Sequence, residues 1–185
     1  MAALLRARNP HGLNVRCGSY YDTVMTNGIL GNREEFVKAL NSSATPAAGY
    51  FNPSQSFFAD LMESFGQKFF GWAGDPLAAD FANSMLGVDH PMRIIAHSQG
   101  TLTVANAVRH YGKSARGSTF VMKSPALSYY SASRAIQGRG GTMDWRQPYG
   151  DIANIYAPSL NPVRWASGFG DIFCGAWRHI GNRLP

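Results

Sequence analysis

Two cysteines, Cys17 and Cys174, are all that the 185-residue chain contains. They stand far apart and without metal-ligand spacing, so neither a zinc site nor a disulfide framework is indicated. Charge is also scarce: Asp, Glu, Lys and Arg together make up 15% of the residues, far fewer than a disordered chain or a coiled coil carries. No apolar run approaches the roughly 20 residues that span a bilayer, because Arg, Asp, Asn and Gly interrupt each one. An integral membrane protein is thereby excluded as an expectation. The opening Met1-Ala2-Ala3-Leu4-Leu5-Arg6-Ala7-Arg8 lacks the apolar centre of a secretory signal, which runs to roughly 7–15 residues. The expectation is a protein cytoplasmic as synthesised, with any export by a non-classical route or on a carrier segment. Internal repeats, low-complexity tracts and linkers are missing too.

What is present is a packed globular composition, 45% apolar and 12% aromatic. A mass of 20.1 kDa suits one domain over residues 1–185, with residues 1–19 read as an irregular leader or as shrunken first strands. The formal charge of +6 comes from 17 bases, most of them Arg, against 11 acids. The bases are scattered, without a run of five or six and without interleaved aromatics, so no nucleic-acid partner is expected. An anionic lipid surface suits the same charge.

Along the chain, β-prone and helix-periodic stretches alternate. Residues 20–26 read as a strand and residues 33–40 as a helix, with Asn32 and Glu35 at capping-box spacing. Residues 47–51 read as a short strand stopped by Asn52-Pro53. Phe57, Phe58, Leu61, Met62, Phe65 and Phe69 then recur at helical spacing; they form core or, in a second reading, an acyl pocket or lid. Asp75-Pro76 opens another helix, which reaches about Leu86 and is closed by Gly87. Residues 92–96 are a strand that turns sharply into a helix over 101–111. A strand over 118–123, a helix over 129–137 and a weakly marked strand over 142–148 complete the series. Strands separated by helices predict an α/β fold, a three-layer sandwich with a mainly parallel sheet covered on both faces.

The sharpest chemical signal is Ala96-His97-Ser98-Gln99-Gly100. It varies the G-x-S-x-G nucleophile elbow, in which a serine occupies a strained turn between strand and helix and its flanking residues must be small. Ser98 is the candidate nucleophile. The amide of Gln99, at a helix N-terminus, is a candidate oxyanion donor. The bland alternative is an ordinary turn with a capping serine. A second donor comes from the loop after an earlier strand; Asn27-Gly28-Ile29 fits, with the Ile29 amide as donor, unless its glycines serve only the turn.

The base must be one of five histidines, His11, His90, His97, His110 and His179. His97 points away at the elbow, His110 ends the following helix, His90 starts the nucleophile strand and His11 lies in the leader. His179 is left. Asp144, Asp151 and Asp171 lie between Ser98 and His179. Asp151 follows the last strand and a glycine turn, which favours it; Asp144 falls inside that strand and Asp171 has none before it.

From about Tyr21 onward the sequence resembles the serine esterases and lipases of the α/β-hydrolase superfamily, especially the small lipase-like modules of bacterial secreted effectors and polymorphic toxins. The resemblance rests on the elbow, the Asn27-Gly28-Ile29 loop, Tyr50-Phe51-Asn52-Pro53 with its following helix, and Gly150-Asp151-Ile152, which is similar to the Asp-x-Val segment of lipases. It implies acyl transfer to water by Ser98, Asp151 and His179, with lipid or small esters as substrates, no cofactor or metal, and an immunity or carrier protein as partner. The chain departs from the family in its short start and in ending six residues after His179. A non-catalytic module that keeps the elbow as architecture is the competing class, and acyltransferases or peptidases share the triad.

Overall fold

A computed structural model describes residues 3–6, 21–27, 33–43, 45–51, 76–85, 90–110 and 115–148. Six strands form one sheet: β1 (Ala3–Arg6), β2 (Thr23–Thr26), β3 (Ala47–Phe51), β4 (Arg93–His97), β5 (Thr119–Lys123) and β6 (Thr142–Arg146). Their spatial order is β1-β3-β2-β4-β5-β6. Strands β2 to β6 are all parallel, and β1 alone runs antiparallel, on β3. Four α-helices accompany the sheet: α1 (Arg33–Asn41), α2 (Pro76–Met85), α3 (Gln99–His110) and α4 (Tyr129–Ile136).

The alternating faces of each strand sort the core into two layers. On one side Met25, Ala47, Phe51, Ile95 and Val121 meet Phe36 and Leu40 of α1, and the Phe36 and Phe51 rings lie 5.7 Å apart. On the other side Val24, Tyr50, Ile94, Ala96, Phe120 and Met122 meet α2, α3 and α4. Helices on both faces of the sheet make the α/β sandwich. The cause of this division is the direction of the crossovers. From β2 the chain passes through α1 to β3 on one side, whereas from β4 it passes through α3 to β5 on the other. Right-handed crossovers leaving in opposite directions place their helices on opposite faces.

Burial follows the same logic. Strand β4 lies between β2 and β5 and is buried at every position after Arg93, as a parallel strand covered on both faces must be. Phe81 of α2 and Phe120 of β5 are fully enclosed, each contributing about 1.5–3 kcal/mol relative to an exposed ring. At the sheet margin among the described residues, β6 is only half-buried. Helix α4 is capped by Ser128, whose hydroxyl accepts from the Ser131 amide at 3.3 Å, satisfying one of the open donors of the first turn.

The sequence-based elements largely coincide with these. The strand at 47–51 agrees to the residue, and β4 is displaced by one. The helix after it starts two residues earlier than its hydrophobic period indicates. Of the two expectations for residues 1–19, a shrunken strand is found at Ala3–Arg6. Asn32 and the helix expected over Phe57–Phe69 positions lie outside the described residues. No helix among the described residues is long and apolar enough to cross a membrane.

Candidate active site

The strand order reverses between β2 and β4, since the chain departs from these adjacent strands toward opposite edges. Helices leaving on opposite faces open a crevice at the carboxyl ends of such a strand pair, and ligands of open α/β sheets bind there. Ser98 directly follows β4, and Asn27 directly follows β2. The elbow serine therefore stands at the switch point.

Its backbone is strained. Ser98 has φ 50°, a left-handed conformation that costs a non-glycine residue about 1–3 kcal/mol and persists only when its surroundings enforce it. The enforcing contacts are visible. The Ser98 amide donates to the Lys123 carbonyl at 3.0 Å, continuing the β4–β5 ladder one step beyond the strand, and its carbonyl accepts from the Thr101 amide at 2.9 Å. The Thr101 hydroxyl donates to the same carbonyl at 2.5 Å and accepts from the Ala126 amide at 3.1 Å. Thr101 thus ties the elbow to the segment after β5.

Gly100 explains the small-residue requirement in atoms. A Cβ built there would stand 2.6 Å from the Asn27 carbonyl oxygen and 3.0 Å from Cγ2 and Oγ1 of Thr26. The first turn of α3 is therefore pressed against the end of β2, which holds Asn27 beside the elbow. Gly100→Ala is expected to destabilise the protein by about 1–3 kcal/mol. By displacing the Asn27 segment about 1 Å it should also lower turnover on the order of 10²-fold. Urea unfolding and ester hydrolysis check both, and a variant as stable and active as the parent would contradict the close approach.

Gln99 is the first residue of α3 and is buried, so its amide belongs to the positive end of the helix. Ser98, His97 and Asn27 are buried as well, so electrostatic interactions among them are stronger than at an exposed surface. Two residues beyond Ile95, His97 lies by strand alternation on the α1 side of the sheet.

Two other histidines can be placed. His110 ends α3, about 18 Å along the helix axis from its start. His90 precedes β4 and faces Asp22 at 3.6 Å, at the sheet end opposite Ser98; β4 alone spans about 16 Å. Neither reaches the serine. Asp144 sits in mid-strand on β6, opposite Val121. Its Oδ2 accepts from Arg146 at 2.6 and 3.0 Å, and chiefly this hydrogen bond holds its carboxyl below the usual range. Asp144 is thus paired with Arg146 on its own strand. Ile29, Asp151, His179, Asp171 and His11 lie outside the described residues.

Two features have no motif in the sequence. Ser124, fully buried after β5, is the only other described non-glycine residue with positive φ, at 45°, and its amide donates to the Arg146 carbonyl at 2.8 Å. Lys123 aligns with His97 and with Arg146 across the carboxyl ends of three strands. Burial, then the charges of Arg146 and Arg93, lower the pKa of its ammonium. Lysine-serine-proline carries no signal for either.

Comparison of the chain with protein-family models, curated proteins and solved structures gave no match.

Proposed function

We propose that the protein is a serine hydrolase of carboxylic esters, lipase- or phospholipase-like in substrate class. The observation that carries this reading is the strained Ser98 at the switch point between β2 and β4. An ordinary capping serine gains nothing from a left-handed backbone, whereas in a nucleophile elbow that turn aims the hydroxyl above the carboxyl end of the sheet.

In the reaction, Ser98 Oγ attacks the ester carbonyl while His179 takes the hydroxyl proton, and the carbonyl π-electrons move to oxygen. The amides of Gln99 and Ile29 stabilise the oxyanion. Collapse breaks the bond to the alcohol, which leaves with the proton from His179 and generates an acyl-enzyme. Water then attacks that acyl group, gives its proton to His179, and the acid departs as Ser98 regains the proton. Asp151 holds the imidazole in the working tautomer. Support for Asp151 comes from the sheet: β6 runs parallel to β4, so the chain leaves it at the Ser98 end, and Asp151 follows three residues after Pro148. Two strand spacings, about 10 Å, separate β6 from β4.

Asp151→Asn is expected to lower turnover on the order of 10⁴-fold, and Asp144→Asn less than about tenfold. Should Asp144→Asn be the severe change, the acid lies on β6 itself. The reading as a whole is tested by hydrolysis of p-nitrophenyl esters of increasing chain length. Turnover that rises with chain length supports a lipase-like enzyme, turnover confined to the shortest esters limits it to an esterase, and no turnover on any ester contradicts the proposal.

A further inference from the structure

The outer face of α4 differs from the remaining described surface. Tyr129 and Tyr130 are 54% and 72% exposed, and they are the exposed large hydrophobic residues among those described. Tyr129 meets the half-buried Trp145 of β6 edge-on, with ring centroids 5.5 Å apart, and the Trp145 indole N–H donates to Gln147 Oε1 at 3.3 Å. Each ring pairs an apolar body with a polar tip, the composition that settles at a boundary between hydrocarbon and water.

Position adds to composition. Helix α4 starts six residues after the end of β5, and Trp145 is the penultimate residue of β6. Both strands run parallel to β4, so the three aromatics stand at the end of the sheet that carries Ser98. They lie on the α4 side, about 10 Å from the nucleophile strand.

Charge adds a third, independent observation. Residues 99–148 contain seven Lys and Arg and a single acid, a net +6 that equals the formal charge of the whole chain. Arg134 is exposed one turn beyond Tyr130 on α4, on the same stripe, and it forms no ion pair among the described residues. Arg139 follows in the next turn. The single acid, Asp144, faces the other side of the sheet and is held by Arg146. Arg134 therefore sets beside the aromatic tips a positive charge that no described acid pairs, whereas Arg109 and Arg139 meet toward the other end of the sheet.

We propose that the outer face of α4, with Tyr129, Tyr130, Arg134 and Trp145, is the surface by which the protein lies on an anionic phospholipid membrane. The inference deepens the hydrolase reading by naming the source of its substrate and rests on that reading for the role of Ser98. Arginine supplies attraction to the headgroups, and the rings enter the headgroup region, bringing the Ser98 end of the sheet to the lipid.

The test uses full-length Ser98→Ala protein, so that no lipid is consumed. Flotation is measured with vesicles of phosphatidylcholine alone and with vesicles containing one-third phosphatidylglycerol. Binding to the anionic vesicles should be at least about tenfold tighter. Tyr130→Ser and Arg134→Gln, made in the same background, should each weaken it about fivefold. Lys38→Gln, on α1 across the sheet, should not. Circular dichroism confirms that each variant is folded. No vesicle binding, equal binding to both compositions, or anionic binding that neither variant weakens overturns the surface; the first and last outcomes would leave the face to a protein partner. Hydrolysis of a soluble short-chain ester by Tyr130→Ser and Arg134→Gln with Ser98 intact is read separately and should match the parent. Ester hydrolysis without vesicle binding removes the surface and leaves the hydrolase, whereas vesicle binding without ester hydrolysis does the reverse.

Discussion

Ser98→Ala is expected to reduce ester hydrolysis on the order of 10⁶-fold while leaving the fold intact. The size of the loss follows from chemistry: without the hydroxyl no acyl-enzyme forms, and only the oxyanion donors and binding remain to assist water. The intact fold follows from the way the elbow is held. Its contacts to Lys123 and Thr101 use the Ser98 backbone amide and carbonyl, which alanine retains. Alanine still has to occupy φ near 50°, so a modest fall in stability is expected, whereas Ser98→Gly should relieve strain and be at least as stable as the parent. Thermal unfolding of the two variants beside their activities separates these effects. Residual activity above about one part in a thousand would assign the nucleophile elsewhere.

The second large effect belongs to the base. His179→Ala should cost about as much as loss of the serine, because the two act as a unit and neither works without the other. His90→Ala and His110→Ala should each cost less than about tenfold. Both stand at the sheet end opposite the elbow: His110 closes α3 and His90 faces Asp22 before β4 begins. The wild-type pH profile offers a second view, since a working His base makes the rate climb with pH through the imidazole pKa, ordinarily about 6.5. Loss of that limb in His179→Ala, with slow residual turnover, would fit the assignment. A severe loss in His110→Ala would contradict the placement of α3.

Much of this architecture was legible because local physics specifies it. Residues 47–51 are bounded by Pro46 and Asn52-Pro53, and a strand so punctuated has little freedom in its ends. The β4-to-α3 turn was legible for a similar reason: an apolar run before Ser98-Gln99-Gly100 changes to helical period after it. The start of α3 lies two residues before its apolar period begins, because Gln99 and Gly100 carry no apolar periodicity. Strand β1 was harder still. Its pairing of Ala3 with Phe51 and Arg6 with Ala48 joins segments some 45 residues apart, with no hairpin turn to announce it. At the site, the sequence pointed to the need for a small residue at Gly100, while its partner, the Asn27 carbonyl, emerged only when β2 and β4 were neighbours. Ser124 was illegible altogether. Its left-handed backbone stands before Pro125, where an extended conformation is the usual preference.

The most direct test of an activated serine is labelling with a fluorophosphonate, which phosphonylates a serine oxygen only when a base and an oxyanion site assist it. The folded wild-type protein should be labelled stoichiometrically, tryptic mapping should place the adduct on Ser98, and both Ser98→Ala and His179→Ala should lose it. A folded wild-type protein that fails to react, or that carries the adduct on another residue, would contradict the assignment of Ser98 as a nucleophile.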